Sequence, residues 1–145
     1  MSVGRICVRE VDLAEARECV MNAAQRMHDR NVGTLVVVDS STKPVGILTD
    51  RDLATRVVAK GLDAVQTQVA EVMSLAPESV EEGTSIEEAL CRMRSGPYRR
   101  LTVVDSAGRL IGLISVDDIL DLLSEEFVQI GRLVRRESPA GLAQL

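Results

Sequence analysis

The chain has 145 residues, a net charge of −5 and 46% hydrophobic residues, and its core must be aliphatic because Tyr98 and Phe127 are its only aromatic residues. The acidic balance argues against binding to nucleic acid, which requires a basic surface, and no apolar run is long enough to span a membrane. The N-terminal segment lacks the basic and apolar stretches of a secretory signal, so we expect a cytoplasmic protein.

The first half of the chain alternates extended and helical patterns that are separated by turn residues. We predict, in chain order, an extended piece at about 6–13, a helix at 20–30, a strand at 35–38, a turn at 40–43, a strand at 45–49 and a helix at 50–60. Gly61 favours the end of that helix, because glycine readily adopts the backbone conformation of a helix exit. The short polar segment 62–68 then links this half to the next.

The second half repeats the same order of elements. We predict an extended piece at about 78–80, a helix from 86 to about 95, a strand at 101–104, a turn at 105–108, a strand at 110–115 and a helix from 116 to about 136. Thr84 and Glu87 have the spacing of a capping box for the first of these helices, and Pro97 ends it. The last residues, 138–145, carry no pattern and are expected to be loose.

An internal repeat with an offset of 66 residues relates the two halves without a gap. Identical residues recur at Ala23 with Ala89, Arg26 with Arg92, Met27 with Met93, Leu35 with Leu101, 37–40 with 103–106, Gly46 with Gly112, and Asp52 with Asp118. Most of the other pairs are conservative replacements. A gapless register of this length indicates a duplicated structural unit.

The repeat predicts a mixed α/β (α+β) fold of two βαββα units related by pseudo-twofold symmetry. A unit of about 60 residues buries too little apolar surface to be stable alone, so we expect the two small sheets and their helices to pack together. We place the first unit at 1–66 and the second at 67–128, followed by a C-terminal helix extension and loose tail at 129–145.

Each half carries a hydroxyl residue at the end of its second strand and an aspartate three residues later. Thr49 and Asp52 form this pair in the first half, and Ser115 and Asp118 form it in the second. A hydroxyl and the free N–H groups of a helix start can hold a phosphate oxygen, and a carboxylate accepts hydrogen bonds from both hydroxyls of a ribose. The same pattern is also that of a plain helix cap, but its recurrence in register favours a pair of nucleotide sites.

The remaining reactive side chains do not form a catalytic set. His28 is the only histidine, and no nucleophile has a base at a recognisable spacing, so we expect neither an enzyme nor a zinc site. Cys7, Cys19 and Cys91 are odd in number and lack paired spacing, which indicates reduced, partly buried thiols.

The repeat resembles a tandem pair of cystathionine β-synthase (CBS) domains, an arrangement called a Bateman module. The similar stretches are 31–39 with 46–53, 99–105 with 112–119, and 69–74 as the opening of a second unit, within an overall resemblance over about 5–128. It implies a regulatory module that binds AMP, ADP, ATP, S-adenosylmethionine or an NAD-type ligand in clefts between the two units. It also implies that the chain forms a homodimer.

The resemblance assigns roles to individual residues. These are Asp52 and Asp118 for ribose hydroxyls; Thr49 and Ser115 for phosphate or ribose; Val11 and Leu35 for adenine in one site, with Val80 and Leu101 in the other; and Arg51, Arg99 and Arg100 for phosphate charge. The second loop has Val116 and Asp117 where the first has Asp50 and Arg51, and an extra acid is unfavourable beside a phosphate. We therefore expect two unequal sites.

Two functions are compatible with these patterns. The first is a stand-alone regulatory module in which an adenosyl ligand changes the conformation and so signals to a partner protein or within a homodimer. The second is a structural module that dimerises, contacts a protein partner and binds no small molecule. Titration with adenosyl ligands separates them, because a ligand at one hundred times its dissociation constant adds about 2.7 kcal/mol of stability.

Overall fold

The computed structural model describes residues 1–75, 77–96 and 98–136. The predicted loose tail at 138–145 and the helix-ending Pro97 lie outside these described residues. Within them the fold is a mixed α+β structure in which two small sheets are packed with helices, as the sequence predicts.

The predicted helices and strands follow each other in the expected order, and a short helix at 69–72 and a short strand at 74–75 that were not predicted lie between the two halves. The strands are β1 (Leu13–Ala14), β2 (Thr34–Val38), β3 (Pro44–Thr49), β4 (Ser74–Leu75), β5 (Ser79–Glu81), β6 (Arg100–Val104) and β7 (Leu110–Ser115). The helices are α1 (Val20–Arg30), α2 (Asp50–Asp52), α3 (Val69–Val72), α4 (Ile86–Ser95) and α5 (Val116–Arg136). A 3₁₀ turn over Val3–Arg5 precedes β1, and α2 continues as a π-helix over Leu53–Val58.

The helix predicted at 50–60 is therefore shorter and more widely wound than expected. Its last turn closes through the Ala59 N–H, which donates to the carbonyl of Ala54 five residues earlier over 2.9 Å. Hydrogen bonds of that span define a π-helical turn, which the apolar spacing of a sequence does not distinguish from an ordinary helical turn.

Each sheet is built around one antiparallel hairpin. β2 pairs with β3 in the first sheet, and β6 pairs with β7 in the second. A short parallel strand from the segment before the first helix flanks each hairpin, with β1 beside β2 and β5 beside β6. The repeated Asp39 and Asp105 hold the two hairpin turns, since one oxygen of each carboxylate accepts hydrogen bonds from two backbone N–H groups of its turn.

Each sheet is extended by a segment from the other half of the chain. β4, from the start of the second half, pairs antiparallel with β3 of the first sheet, and Val8 pairs with Leu113 of β7 in the second. The buried side chains follow the same exchange, because Val69 lies in the first core and Val3 in the second, each with 0% exposure. The unit boundary placed between 66 and 67 stays a prediction, and segments of the chain cross it in both directions.

The repeated glycines allow the exchanged segments to approach the sheets closely. A side chain at Gly46 would collide with Met73, and a Cβ at Gly112 would lie 2.9 Å from the sulfur of Cys7 and 3.0 Å from the carbonyl oxygen of Val8. Cys7 and Met73 are themselves 66 residues apart, so the exchanged segments belong to the repeat. Burial raises the pKa of the Cys7 thiol, which keeps it neutral at its contact with the sheet.

The repeated Arg26 and Arg92 fasten the first helix of each half to its flanking strand. Arg26 donates to a backbone carbonyl of β1 over 2.9 Å and to the carboxylate of Glu18 over 2.8 and 3.0 Å. Arg92 donates to a backbone carbonyl of β5 over 3.2 Å. Burial alone would raise the pKa of Glu18, but hydrogen bonds from Arg26 and from the Glu15 amide outweigh it and lower that pKa.

Two predictions about individual side chains are wrong. The N-cap of α4 is Ser85 rather than Thr84, and its hydroxyl accepts a hydrogen bond from the Glu88 N–H over 3.1 Å. Both neighbours carry a hydroxyl and are followed by a glutamate three residues later, so spacing does not distinguish them. Cys91 is exposed on α4 rather than partly buried, whereas the other two cysteines are partly buried as predicted.

Candidate functional site

The loops that follow β3 and β7 share one geometry. In the first, the Asp52 N–H donates to the Thr49 hydroxyl over 3.1 Å, and the Thr49 N–H donates to the Asp52 carboxylate over 2.9 Å. In the second, the N–H and the hydroxyl of Ser115 donate to the Asp118 carboxylate over 2.7 and 2.8 Å, and the Asp118 N–H donates to the Ser115 hydroxyl over 3.2 Å. Both loops are thus reciprocal helix caps, which is the alternative that the sequence leaves open.

Capping does not use all the acceptor capacity of the two carboxylates. In Asp118, Oδ2 accepts both bonds from Ser115, and the described residues give Oδ1 no hydrogen bond. In Asp52, Oδ2 accepts from Thr49, while Oδ1 lies 3.8 Å from Nε of Arg56. Because each carboxylate oxygen accepts about two hydrogen bonds, each loop can cap its helix and still bind a hydroxyl of a ligand.

The second loop borders a cleft of about 220 Å³ between the two halves, which we call the Ser115 cleft. Its lining residues are Val8, Glu10, Val11, Asp12, Val32, Gly33, Thr34, Arg100, Leu113, Ser115 and Asp118. The hydroxyl oxygen of Thr34 is buried and has no hydrogen-bond partner among the described residues. A buried hydroxyl without a partner is costly in a folded protein.

The first loop borders a second cleft, also of about 220 Å³, which we call the Thr49 cleft. Its lining residues are Ile47, Thr49, Ser74, Leu75, Pro77, Glu78, Tyr98, Arg99 and Arg100. Arg100 lines both clefts, so the two clefts adjoin at this side chain.

The two clefts are equivalent under the repeat offset. Val11 and Ser115 in one cleft correspond to Pro77 and Thr49 in the other. Each cleft therefore joins the loop of one half to the segment before the first helix, and to the start of the first strand, of the other half. A ligand in either cleft contacts both halves of the chain at once.

The structure brings six of the eleven predicted site residues to the clefts. Val11, Arg100, Ser115 and Asp118 line the Ser115 cleft, and Thr49, Arg99 and again Arg100 line the Thr49 cleft. Asp52 supports the second of these clefts indirectly, because it caps the loop that presents Thr49. Arg51 is exposed and lines neither cleft. The caps on the second strands thus assemble with the predicted residues of the opposite half.

The other three predicted adenine contacts lie in the cores. Leu35 and Leu101 are 0% exposed and Val80 is 2% exposed. None of them lines either cleft. β2 and β6 are covered on both faces, so nearly every residue along them is buried and their apolar side chains do not reveal which positions border a cleft. The adenine contacts at these three positions stay predictions, and neither cleft is lined by them.

Three of the lining residues that the sequence did not predict have side chains suited to contact a ligand. Tyr98 and Pro77 provide flat or rigid apolar surface in the Thr49 cleft, and Thr34 provides the unpaired hydroxyl in the Ser115 cleft. Tyr98 carried a usable signal, because it is one of two aromatic residues and directly precedes two arginines. Pro77 carried another, because the repeat aligns it with the predicted Val11.

Other site types find no support in residues 1–75, 77–96 and 98–136. No group of three or more His, Cys, Asp or Glu side chains is arranged there to hold a metal ion. Within the same residues, no helix combines the length and the apolar character needed to cross a membrane.

A duplicated α+β unit, with two equivalent clefts that combine residues of both copies, defines a tandem-repeat module. The family model of the CBS domain matches residues 20–59 and 69–125. The chain belongs to the CBS domain family and contains a tandem pair of CBS domains, as its sequence motifs predict.

Proteins of known sequence support the same assignment. The uncharacterized protein MK0525 of Methanopyrus kandleri is 34% identical over 122 residues, which cover 84% of this chain and 62% of that protein. The chain thus spans less than two thirds of that relative. The CBS domain-containing protein YhcV of Bacillus subtilis is 36% identical over 118 residues, which cover 81% of this chain and 82% of that protein.

Solved structures have the same fold. A putative signal-transduction protein with CBS domains from Burkholderia ambifaria superposes with a TM-score of 0.77 at 31% identity, covering 85% of this chain and 93% of that one. The CBS domain pair of protein MJ0100, in complex with 5′-methylthioadenosine and S-adenosyl-L-methionine, has a TM-score of 0.78 at 24% identity, covering 87% and 98%. CBSX2 in complex with AMP has a TM-score of 0.71 at 23% identity, covering 86% and 96%.

Proposed function

We propose that this chain is a regulatory module that binds an adenosyl ligand in the clefts between its two CBS units and signals through the resulting change in their arrangement. One observation carries the proposal: each cleft combines the hydroxyl–carboxylate loop of one half with apolar wall from the other half. A ligand that bridges two packed halves has a different affinity for each arrangement of those halves, which is the requirement for a conformational signal.

In the Ser115 cleft, the uncommitted oxygen of Asp118 is the acceptor for ribose hydroxyls, because two adjacent hydroxyls can donate to one carboxylate. Val11 and Val32 provide apolar surface for the adenine ring. The buried Thr34 hydroxyl, which lacks a protein partner among the described residues, is a candidate hydrogen-bonding group for a ring nitrogen or amine. In the Thr49 cleft, Pro77 and Tyr98 are the corresponding ring contacts.

The size of the clefts favours a nucleoside or mononucleotide over an NAD-type dinucleotide. Sites for drug-sized ligands typically measure about 300–1,000 Å³, and each cleft here measures about 220 Å³. Proteins of the same fold were solved with 5′-methylthioadenosine, S-adenosyl-L-methionine and AMP. The titration includes all five candidates: AMP, ADP, ATP, S-adenosylmethionine and NAD. AMP is the smallest of them and fits the clefts best.

Thermal and chemical unfolding in the presence of each candidate ligand tests the proposal. A ligand present at one hundred times its dissociation constant should raise the unfolding free energy by about 2.7 kcal/mol. Asp118→Asn should reduce this gain, since the amide has one acceptor oxygen fewer, while the matched variant Asp117→Asn, at an exposed neighbour, should not. If no adenosyl ligand at millimolar concentration shifts unfolding, the sensor proposal fails and the ligand-free structural module takes its place.

We also propose that the chain forms a homodimer, which is supported by an exposed apolar stripe on α5. Its members are Leu120, Leu123, Phe127, Ile130 and Val134, whose spacing alternates between three and four residues and whose side chains are 46–70% exposed. That spacing is the seam of a helix pair. Without a partner helix, this stripe would leave a contiguous apolar patch in water.

The charges on α5 favour an antiparallel pairing with a second copy. The first half of the helix carries Asp117 and Asp121, and the last turns carry Arg132 and Arg136. When two copies lie antiparallel and cross at Phe127, the acidic half of each helix faces the basic half of the other. A parallel pair would instead bring like charges together, which is unfavourable.

Sedimentation of the purified chain tests the dimer. The wild-type chain should sediment as a dimer, and Phe127→Glu should convert it to a monomer because the seam would then bury a charge. Gln129→Glu adds the same charge on the opposite side of the helix and should leave the dimer intact. A wild-type monomer at micromolar concentration, or equal dissociation of both variants, would contradict this pairing.

A further inference from the structure

The two clefts differ at three consecutive positions that are equivalent under the repeat. The start of β2 supplies Val32, Gly33 and Thr34 to the Ser115 cleft. The start of β6 supplies the residues 66 positions later, 98–100, to the Thr49 cleft. Those residues are Tyr, Arg and Arg, so one cleft has two cationic side chains where the other has none of its own.

The Ser115 cleft is acidic. Its ionisable lining residues are Glu10, Asp12, Asp118 and, on its border with the other cleft, Arg100. Asp12 is paired with Arg30 over 2.8 Å. The carboxylates of Glu10 and Asp118 then remain, and the guanidinium of Arg100, which both clefts share, is the one cation that lines this cleft. A phosphate placed there meets uncompensated negative charge, and that repulsion grows as water is excluded from the cleft.

The Thr49 cleft is basic. Arg99 and Arg100 line it together with one acid, Glu78. That acid lies 3.7 Å from Arg92, which is outside the cleft and offsets its charge. Guanidinium groups bind phosphate oxygens through paired N–H donors, so this cleft has the side chains that a nucleotide phosphate requires.

We propose that the two clefts divide adenosyl ligands by charge: the Thr49 cleft binds a 5′-phosphorylated adenosine, and the Ser115 cleft binds an adenosyl compound without phosphate, either neutral or cationic. The inference rests on the proposed function, because it assigns a ligand class to each of the two sites. It predicts that a phosphorylated and an unphosphorylated adenosine occupy one chain together rather than competing for one site.

The test uses AMP and adenosine as probes and isothermal titration calorimetry on the full chain. Arg99→Gly removes the cationic side chain that lines the Thr49 cleft alone and puts there the glycine of the equivalent position, Gly33. It should weaken AMP binding about tenfold or more, the usual effect of losing hydrogen bonds to a charged group, and change adenosine binding by less than about threefold. Asp118→Asn should do the reverse, weakening adenosine and leaving AMP nearly unchanged.

Arg17→Thr is the matched control, because it removes a cationic side chain that is exposed and lines neither cleft. Its AMP affinity should equal that of the wild type, and the unfolding midpoints of all variants check that they are folded. In the wild type, saturation with adenosine should leave the AMP affinity within about threefold.

Two results would overturn the division of ligands while leaving the proposed function in place. One is competition between AMP and adenosine for a single site in the wild type. The other is an equal loss of AMP and adenosine affinity in Arg99→Gly. If neither probe nor any other adenosyl ligand binds the wild type, the proposed function itself fails, and the division of ligands fails with it.

Discussion

Thr34 allows a mutation whose effect on stability has an unusual sign. Its side-chain oxygen is buried at the wall of the Ser115 cleft and has no hydrogen-bond partner among the described residues. Valine has nearly the same shape as threonine and has no polar atom to desolvate. Thr34→Val should therefore stabilise the ligand-free protein, whereas most substitutions of buried residues destabilise.

The magnitude follows from the cost of an unsatisfied buried polar group, which is about 1–3 kcal/mol. With a urea dependence of about 1–3 kcal/mol per molar for proteins of this kind, a gain of about 1 kcal/mol moves the urea midpoint upward by about 0.5 M. Near the melting temperature the same gain raises Tm by about 2–4 °C for a chain of this length.

Thr102→Val is the matched control with the opposite sign. The Thr102 hydroxyl is also buried, but it lies 2.6 Å from the Ser79 hydroxyl and donates to the carbonyl of Glu78 over 3.3 Å. Thr102→Val removes both hydrogen bonds, and the Ser79 hydroxyl loses the partner that lies 2.6 Å from it. The expected result is a loss of about 1–2 kcal/mol.

The assay is urea unfolding of both variants, with and without saturating adenosine. If the Thr34 hydroxyl bonds to the ligand, Thr34→Val should gain less from adenosine than the wild type, by about 1 kcal/mol, which is about fivefold in affinity. The reasoning is refuted if Thr34→Val unfolds at a lower urea concentration than the wild type, since the hydroxyl would then have a stabilising partner in the ligand-free protein.

Three further predictions concern the elements that hold the clefts. Gly112→Ala should lower the free energy of unfolding in urea by about 1–3 kcal/mol, because its Cβ would lie 3.0 Å from the Val8 carbonyl oxygen. The control Gly131→Ala meets nothing within 4 Å and should raise the free energy of unfolding by about 0.5–1 kcal/mol. Glu18→Gln should lower stability at neutral pH. Because the pKa of Glu18 is lowered below its ordinary 4.5 in the folded state, its contribution is present above that value and is lost as the pH falls further, so the difference between the two proteins should shrink from pH 7 to pH 3. Asp118→Ala should cost about 1 kcal/mol through the lost cap in thermal unfolding, and Asp118→Asn less.

The order and type of the elements could be predicted because local patterns determine them. The repeated Asp39 and Asp105 are followed by turns in both halves, and each turn is held by the aspartate beside it. The helices begin and end within a few residues of the predicted positions, since polar caps and apolar spacing are properties of one short segment. Because the two halves are related by an offset of 66 residues, an element predicted in one half can be compared with the equivalent positions of the other.

The exchange of segments between the sheets could not be predicted in this way. Val3 and Val69 read only as buried apolar residues, and periodicity says that a side chain is covered without saying which half covers it. The same limit affected the site. Val11 lines the Ser115 cleft, and the loop opposite to it belongs to the other half, a pairing that depends on how the two units pack.

Comparison of the two copies separates the demands of the fold from those of the ligand. Positions that are identical in both copies have structural partners: Arg26 and Arg92 fasten flanking strands, and Gly46 and Gly112 admit the exchanged segments. The positions that line the clefts at 32–34 and 98–100 differ in charge and shape instead. A duplicated unit keeps the side chains that hold its own segments together, as these four do, and it is free to differ where only a ligand is contacted. The proposed division of ligands by charge accounts for the difference at these three positions, and swapping the residues between the copies tests it.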